Sequence, residues 1–437
     1  MPSGKERLRE ALQTRFPDEK GAVDRYFAAV AAQQASAGLY FAARMLLSLA
    51  PRGLRWLASW LAPLMSRPHY RISDQTVGST LDSIGVKPAS PLRGFLTYLW
   101  GDYGLTPAYA SFAIHAMTHN HFFKGAYFPI GGTAEIARRV VPTIEAHGGA
   151  VLVRAPVASL LVEDGRCVGV RMARGDGAVT LRAACVVSAA GASNTFERLV
   201  PEESRHLVAP IVSALRDPAV AAPSCAHLML FVALKGSRAG LGLPACNYWI
   251  APSADADADA AASRADYLRA PLPAVFLSFP SAKDAAWGER WPGKSTAHII
   301  AEAPWALFAA WEGGRVKHRG HEYEQLKLAL TEKLLEPMLR EFPHLKDAID
   351  FTELGTPLSS AHYLGSARGA SYGLAHTPAR YRQEWLRPGT PIPNLYLTGQ
   401  DVVSAGIVGA MVGGFLTALS VAPLSVGAQN WRTLLKL

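Results

Sequence analysis

The residues whose types and spacing most clearly suit ligand binding form a glycine-rich segment near the carboxyl end of the chain. Its sequence is PIPNLYLTGQDVVSAGIVGAMVGG, at residues 391–414. A buried strand is predicted to lead into this segment, and a small-residue helix is predicted from about residue 407 to residue 421. Because glycine has no side chain, backbone N–H groups can approach a ligand closely at Gly399, Gly406, Gly409, Gly413 and Gly414. A helix starting near Gly406 would also direct the positive end of its dipole at an anionic group. Close packing of the helix on the strand is the alternative explanation of the same glycines.

A second segment, from residue 127 to residue 191, has the signals of an α/β unit. Its turn YFPIGG ends in Gly131 and Gly132, for which a plain turn and a ligand contact are both open. A helix with apolar residues at helical spacing follows, and Gly148-Gly149 ends it. Short strands are predicted next at 151–153, 157–162, 168–170, 179–181 and 185–189, with Gly191 closing the series.

Other elements must position these two segments. Residues 1–120 are predicted to be mostly helical, with one helix start at Phe16-Pro17 and another at Ser90-Pro91. An amphipathic helix is predicted at 322–341. Strands are predicted at 228–232 and 274–278, and an exposed loop or weak helix at 254–262.

Length and composition indicate a folded protein of two or three domains. The chain has 437 residues, and single cores rarely outgrow about 250–300 residues. Hydrophobic residues make up 49% and charged residues 18%, which argues against disorder. The net charge of +9 favours an anionic partner: nucleic acid, a membrane surface or a phosphate-bearing cofactor. Because Lys and Arg are dispersed and no recognition motif is visible, nucleic acid is not predicted as a partner.

An apolar stretch at 35–65 is a candidate membrane-facing surface. Arg44, Pro51, Arg52 and Arg55 interrupt it, so no apolar run of about 20 residues exists and no transmembrane helix is predicted. Two short helices broken at Pro51, with Trp and Arg at their edges, would suit insertion into one leaflet. Coverage of an internal core is the alternative. Residues 1–25 carry no secretory signal, and peripheral membrane association is predicted without a compartment.

The cysteines do not indicate a metal site. Cys167, Cys185, Cys225 and Cys246 are scattered, with no CxxC or Cys/His spacing. Buried free thiols are predicted for them.

The two motif segments together resemble the FAD-dependent amine oxidase and phytoene desaturase-type enzymes. Their order and their separation of about 200 residues match that superfamily. Finer patterns, KDAAWGERWPGKST, WEGGRVKHRGHEYEQLK and GTPLSSAHYLGSARGASYGL, resemble the retinol saturase (all-trans-retinol 13,14-reductase) family and its carotenoid isomerase relatives. The similarity extends from residue 4 to about residue 421.

The resemblance implies FAD as cofactor, an apolar polyene (a retinoid or carotenoid) as substrate, and a nicotinamide nucleotide as a candidate electron donor. Reduction, desaturation and isomerisation of a double bond all remain open. By resemblance, Asp401 would bind the ribityl or phosphate linkage, the backbone of Val157 would meet the adenine, and the helix start at Gly406 would face the flavin N1–C2=O edge. The complete set of implied cofactor contacts is Gly131, Gly132, Val157, Gly191, Gly399, Gln400, Asp401, Gly406, Gly409, Ala410, Gly413 and Gly414.

No catalytic side chain is assigned, because hydride transfer at a flavin depends more on positioning than on an acid or base. If a proton is delivered to a polyene carbon, tyrosine and histidine are the candidate donors. They are Tyr363, Tyr372, His115, His119 and His121. For each histidine, a hydrogen-bonded structural role is the competing interpretation.

Members of the family begin with a strand–GxGxxG–helix unit that holds the pyrophosphate, and the sequence contains no such unit. A fragment, a split enzyme and a degenerate relative are the three explanations weighed. The degenerate relative would bind polyenes or partners without catalysis and would need a separate nucleotide-binding half. For both the fragment and the degenerate relative, exposed apolar faces and unpaired edges are expected at 185–189 and 395–397, with weak FAD binding and a tendency to aggregate.

The predicted fold class is α/β (mixed α+β): an incomplete, doubly wound FAD-binding domain with an inserted substrate domain and a helical N-terminal region. The predicted regions are 1–120 (helical, facing substrate or membrane), 121–200 (middle part of the FAD-binding domain), 201–345 (substrate binding) and 346–437 (C-terminal part of the FAD-binding domain). The oligomeric state is not predicted.

Overall fold

The N-terminal region is helical, as predicted. The computed structural model of the protein describes residues 2–50, 52–88, 90–174 and 177–422. The first helices are α1 (Lys5–Arg15), α2 (Lys20–Leu49), α3 (Arg55–Ser73), α4 (Val77–Ser83), α5 (Pro91–Thr97) and α6 (Phe112–Phe122). Ser90 caps α5, since its Oγ accepts a hydrogen bond from the Leu92 N–H at 3.1 Å. The helices enclose a core that includes Tyr26, Val77 and Leu92.

The helices α2 and α3 pack against each other on either side of the predicted break at Pro51, a residue that lies outside the described ones. They have 30 and 19 residues and are therefore longer than the short helices predicted. The reason is that buried residues along both helices, such as Tyr40 and Tyr70, hold them to the core. No helix within the described residues is both long and apolar enough to span a membrane.

Two distant parts of the chain build the α/β region. It contains α7 (Ala134–Ala146), β1 (Val157–Glu163), β2 (Arg166–Arg174), β3 (Gly177–Arg182), β4 (Val186–Ser188), β10 (Leu395–Leu397) and α16 (Gly406–Val421). Strands β1, β2 and β3 form an antiparallel sheet, and β4 pairs with β10 in parallel, with Val186 opposite Leu395. Residues from β1, β4, β10 and α16 share one core with Phe196.

Most of the predicted strands of this region are present, but the strand predicted at 151–153 is wrong. Residues 151–153 adopt no regular structure and are exposed, because no described segment pairs with them. An exposed apolar face is expected at residues 185–189, and β4 has one at Val187, whose side chain is 46% exposed. The exposed apolar face expected at 395–397 is not found, because Leu395 and Leu397 of β10 are buried in the core shared with α16.

The middle of the chain forms a five-stranded antiparallel sheet in the order β6-β7-β8-β5-β9. Its strands are β5 (Ala226–Lys235), β6 (Asn247–Ile250), β7 (Val275–Ser278), β8 (Lys294–Ala303) and β9 (Ile349–Gly355). The predicted strands at 228–232 and 274–278 lie in β5 and β7. The long helix α13 (His321–Glu341) covers one face of the sheet and buries Leu330, Leu334 and Met338 there.

Shorter helices complete the fold. They are α8 (Ala209–Arg216), α9 (Pro218–Ala221), α10 (Ala256–Ala265), α11 (Pro280–Lys283), α12 (Trp287–Arg290), α14 (Pro357–Leu364) and α15 (Pro378–Tyr381). The Ala-Asp stretch predicted as a loop or weak helix is α10, which the side chain of Asp255 caps by accepting from the Ala258 N–H at 3.0 Å. Of the cysteines predicted to be buried, Cys167 is buried, Cys185 and Cys225 are half-buried, and Cys246 is exposed. Cys246 lines a cavity between the N-terminal helices and the five-stranded sheet.

Candidate functional site

The glycine-rich segment folds into a strand, a turn and a helix with one open side. Strand β10 leads to Gly399 at φ 94°, and α16 begins at Gly406 at φ 82°. A Cβ on Gly399, Gly406 or Gly414 would meet no atom within 4 Å. In contrast, a Cβ on Gly409 would overlap the Ser404 carbonyl, and one on Gly413 would lie 2.6 Å from the Gly399 oxygen. The predicted alternatives therefore divide. Gly409 and Gly413 allow close packing, Gly399 and Gly406 leave space at the helix N-terminus, and Gly414 leaves space beside the third turn of the helix.

Asp401 is buried at the centre of this turn and binds backbone on both sides. Its Oδ2 accepts from the Ala192 N–H at 2.8 Å, and its Oδ1 accepts from the Leu374 N–H at 3.0 Å. Arg380 donates to the carbonyl oxygens of Gln400 and Asp401 at 3.0 and 3.1 Å. The Asp401 carboxylate thus ties three chain segments together, and both of its oxygens are engaged within the protein.

The remaining predicted contact residues lie at different places. Gly191 is next to the Asp401 carboxylate, since a Cβ on Gly191 would lie 3.5 Å from Oδ2 of Asp401. Gly131 donates its N–H to Oδ1 of the buried Asp284 at 3.0 Å, which anchors the turn to the helix pair after β7. Gly132 follows it in the same turn, and Val157 begins β1 on the surface. No hydrogen bond among the described residues joins that turn or Val157 to the segment 399–414. Ala410 lies half-buried in the second turn of α16.

A cavity of about 1740 Å³ lies between the N-terminal helices and the five-stranded sheet. It occupies the sheet face opposite α13. Neighbouring residues of β8 show this: Ile299 lies in the core under α13, while Thr296 and His298 line the cavity. Aromatic side chains form much of its wall: Phe95, Tyr98, Trp100, Tyr248, Trp249 and Phe276.

A smaller cavity of about 170 Å³ adjoins the large one and shares Trp100, Asp102 and Trp249 with it. Its far wall is Tyr372, whose hydroxyl donates to the Gly101 carbonyl at 2.9 Å. The neighbouring Ser371 accepts a hydrogen bond at its carbonyl oxygen from the Gln400 side chain at 3.4 Å. The small cavity therefore lies between the large cavity and the glycine-rich segment.

The polar groups of the small cavity have shifted pKa values, in each case chiefly because burial disfavours the charged form. The pKa of Asp102 is raised to about 7, and that of Glu302 is also raised, although Arg264 opposes the shift. Burial lowers the pKa of His227 to about 4. His227 lies against Ser371, with 2.7 Å between Nδ1 and Oγ. None of these three side chains was a sequence candidate; the only signal was an acid, Asp102, inside an aromatic run.

The five proton-donor candidates predicted from sequence do not form one group. His115 is buried between the hydroxyls of Tyr26 and Tyr103, at 2.9 and 3.0 Å, which is a structural arrangement. His119 lines the large cavity, and burial lowers its pKa to about 3. Tyr372 lines the small cavity. The other two candidates, His121 and Tyr363, are exposed.

The described residues contain no group of three or more His, Cys, Asp or Glu side chains that could hold a metal ion.

Comparison with known proteins agrees with this architecture. A family profile described as an FAD binding domain matches residues 18–236. The all-trans-retinol 13,14-reductase of Rattus norvegicus is 34% identical over 434 residues, which cover 96% of this chain and 69% of the rat protein. A Danio rerio relative named inactive all-trans-retinol 13,14-reductase is 31% identical, covering 96% of this chain and 68% of that protein.

More distant matches share the fold or part of the chain. Prolycopene isomerase 2 of an Oncidium hybrid cultivar is 25% identical over 307 residues, 69% of this chain and 47% of the isomerase. The crystal structure of an oxidoreductase from Methanosarcina mazei superposes with a TM-score of 0.52 at 16% identity, covering 86% of this chain and 74% of that one. The mixed α/β fold of an FAD-dependent oxidoreductase, with a helical N-terminal region, is thereby established. The chain belongs to the all-trans-retinol 13,14-reductase family, as the motifs of its sequence predicted.

Proposed function

We propose that this chain is a flavin-dependent oxidoreductase that reduces one double bond of a conjugated polyene, a retinoid or a carotenoid. The observation that carries the proposal is the aromatic-lined cavity of about 1740 Å³, which the small cavity beside Tyr372 extends toward the glycine-rich segment. Its volume exceeds the roughly 300–1,000 Å³ of ordinary small-molecule sites, so it suits a long substrate. Desaturation or isomerisation of the same substrate class would use the same cavity.

The residues at the open side of the glycine-rich segment fit a flavin dinucleotide. Space beside Gly399, Gly406 and Gly414, together with the N-terminus of the 16-residue helix α16, suits an anionic, planar group. We assign the cofactor contacts to this segment and to the turn and strand residues predicted from sequence. In this assignment Asp401 acts by holding backbone in place, because its oxygens already have two partners.

When bound and reduced, FAD would supply the hydride, with a nicotinamide nucleotide as the proposed electron donor. The chain's own residues would orient the polyene and exclude water. Trp100, Trp249 and Phe276 line both cavities, and His227 is neutral at physiological pH because of its lowered pKa. Aromatic walls of this kind favour an apolar substrate. Residues 121–200 and 346–437 would hold the cofactor, and 1–120 and 201–345 the substrate.

Entry of the polyene from a lipid surface is part of the proposal. Exposed apolar side chains lie on the C-terminal half of α2, on the turn before α3 and on the first turns of α3: Leu39, Leu54, Trp56, Leu57 and Trp60. Trp56 and Trp60 are more than 60% exposed. Tryptophans on an amphipathic surface suit the boundary between headgroups and acyl chains. Peripheral membrane association would therefore deliver the substrate close to the N-terminal helices.

A second candidate is a polyene-binding or partner-binding chain that lacks catalysis unless another polypeptide completes the cofactor site. The observation in its favour is α7, which has no buried residue and exposes Ile136, Val140 and Ile144. An uncovered apolar helix face commonly marks an interface.

A spectroscopic experiment separates the two candidates. The purified chain is incubated with FAD, freed of unbound cofactor and examined for a flavin absorbance band that a reductant bleaches. All-trans-retinol is then added under reducing conditions, and products are separated by chromatography. A retained flavin and a product with a shortened, blue-shifted chromophore support the oxidoreductase. Polyene binding without retained flavin supports the second candidate.

A further inference from the structure

Asp102 occupies the junction of the two cavities. It ends the 3-10 turn Tyr98–Asp102 that continues α5, and it lines both the large and the small cavity. The hydroxyl of Tyr372 binds the carbonyl of the adjacent Gly101. Tyr372 in turn follows Ser371, which the Gln400 side chain contacts at 3.4 Å. A polyene reaching from the large cavity toward the glycine-rich segment would therefore pass the Asp102 carboxyl.

The carboxyl of Asp102 has no hydrogen-bond or ion-pair partner among residues 2–50, 52–88, 90–174 and 177–422, and burial is the single cause of its raised pKa. The other acid of the small cavity, Glu302, differs from Asp102 because its carboxylate has an ion-pair partner, Arg264, at 3.8 Å. The Asp102 side chain is half-buried in the cavity wall, where its carboxyl is poorly solvated. A carboxyl in such a place without a partner is costly to ionise, so a structural role would normally supply it with one. Its free proton is instead available to a group entering the cavity.

The titratable groups that interact with Asp102 or line the small cavity do not compete as proton donors. They are Tyr98, Tyr103, Tyr372, His227 and Glu302. Burial raises the pKa of each of these tyrosines and lowers that of His227, so the tyrosines hold their protons and the imidazole carries no extra proton to give. Glu302 is engaged with Arg264, and burial raises the pKa of Asp102 to about 7, which suits a general acid.

We propose that Asp102 is the proton donor of the reduction: its carboxyl proton goes to one carbon of the polyene double bond, and the other carbon takes the hydride that bound, reduced FAD would supply. The π electron pair of the double bond forms the new C–H bond with that proton, and the O–H bond of Asp102 breaks. Asp102 is left as a carboxylate and regains a proton from water before the next turnover. The assignment rests on the proposed function above.

The test compares wild type with Asp102→Asn, which keeps the size of the side chain but cannot donate the carboxyl proton. Asp102→Asn should lose product formation by about 100-fold or more, the contribution typical of a general acid. It should still bind retinol, measured by fluorescence, with the wild-type dissociation constant. Asp102→Glu should recover part of the rate. The matched control is Asp347→Asn, the same change at an exposed position, which should keep the wild-type rate.

Two further readouts separate a chemical role from a structural one. The wild-type rate should fall as pH rises through about 7, because the protonated carboxyl is lost, whereas the residual rate of Asp102→Asn should not follow that profile. Without cofactor or substrate, the infrared difference between wild type and Asp102→Asn should contain a protonated-carboxyl band that disappears as pH rises through the same range.

The outcomes are distinguishable. If wild type forms product and Asp102→Asn forms it equally fast, or if the infrared difference shows no protonated carboxyl, the proton-donor assignment is overturned while the proposed function stands. If wild type with FAD and reductant forms no product, the proposed function is contradicted and the assignment of Asp102 falls with it.

Discussion

Two amphipathic helices of this chain, α13 and α7, differ in whether their apolar sides are buried. The apolar side of α13 packs on the five-stranded sheet, and Leu330 and Leu334 on it are buried. The apolar side of α7 carries a well-formed stripe at Ile136, Val140 and Ile144, yet no residue of that helix is buried. Helical periodicity thus tells which side of a helix is apolar, but only the neighbouring elements decide whether that side is covered.

The covered helix should show the largest effect on stability. Leu334→Ala removes a fully buried side chain from the α13 core and should lower the free energy of unfolding by about 2–5 kcal/mol, the usual cost of such a cavity. Denaturant titration followed by circular dichroism measures it. A matched control on the same helix is Leu328→Ala, where the side chain is 57% exposed and little change is expected. Equal losses for both variants would contradict the difference in packing.

The hydrogen bonds of the Asp401 carboxylate in the α/β region should make an intermediate contribution to the free energy of unfolding. Asp401→Ala removes the acceptor for the Ala192 and Leu374 N–H groups and should cost about 1–3 kcal/mol, the penalty for leaving buried donors unpaired. It should also reduce retention of FAD, because three segments beside the glycines lose their common anchor. Unfolding measurements and the flavin absorbance of the same samples give the two values. Unchanged stability would show that the two hydrogen bonds accepted by Asp401 are not needed for folding.

The uncovered helix should respond in solubility rather than stability. Replacing Ile136, Val140 and Ile144 together with Gln should change the free energy of unfolding by no more than about 0.5 kcal/mol per site, as for ordinary surface positions. Aggregation, followed by light scattering, should decrease because an exposed apolar stripe is removed. A loss of several kcal/mol would instead show that the α7 face is covered in solution, for example by a second copy.

The exposed tryptophans of α3 should have the smallest effect on stability and a specific effect on lipid binding. Trp56→Asp with Trp60→Asp should leave unfolding nearly unchanged but abolish co-sedimentation with liposomes that contain anionic lipid. Trp291→Asp is the control, since Trp291 is 50% exposed in a different part of the protein. Undiminished sedimentation of the double variant would refute the membrane-facing role of these helices.

Sequence reasoning was most accurate where local signals are strong. The helices predicted at 322–341 and 407–421 occur as α13 and α16. It was wrong at 151–153, which has the composition of a strand but no partner to pair with. It also passed over Asp102, because one acid between aromatic residues has no local feature that separates a surface position from a cavity wall.

The sequence by itself determined the family, the glycine-rich segment with its following helix, and the positions of most strands, because these depend on residue type and spacing along a short stretch. Only the tertiary structure decided which glycines leave open space, and it alone gave Asp401 its two backbone partners from remote segments. The same holds for the cavity junction, where Asp102 meets residues from about 125 to 270 positions away. Burial and the distance between remote segments control these properties, and neither is encoded in the local pattern of the chain.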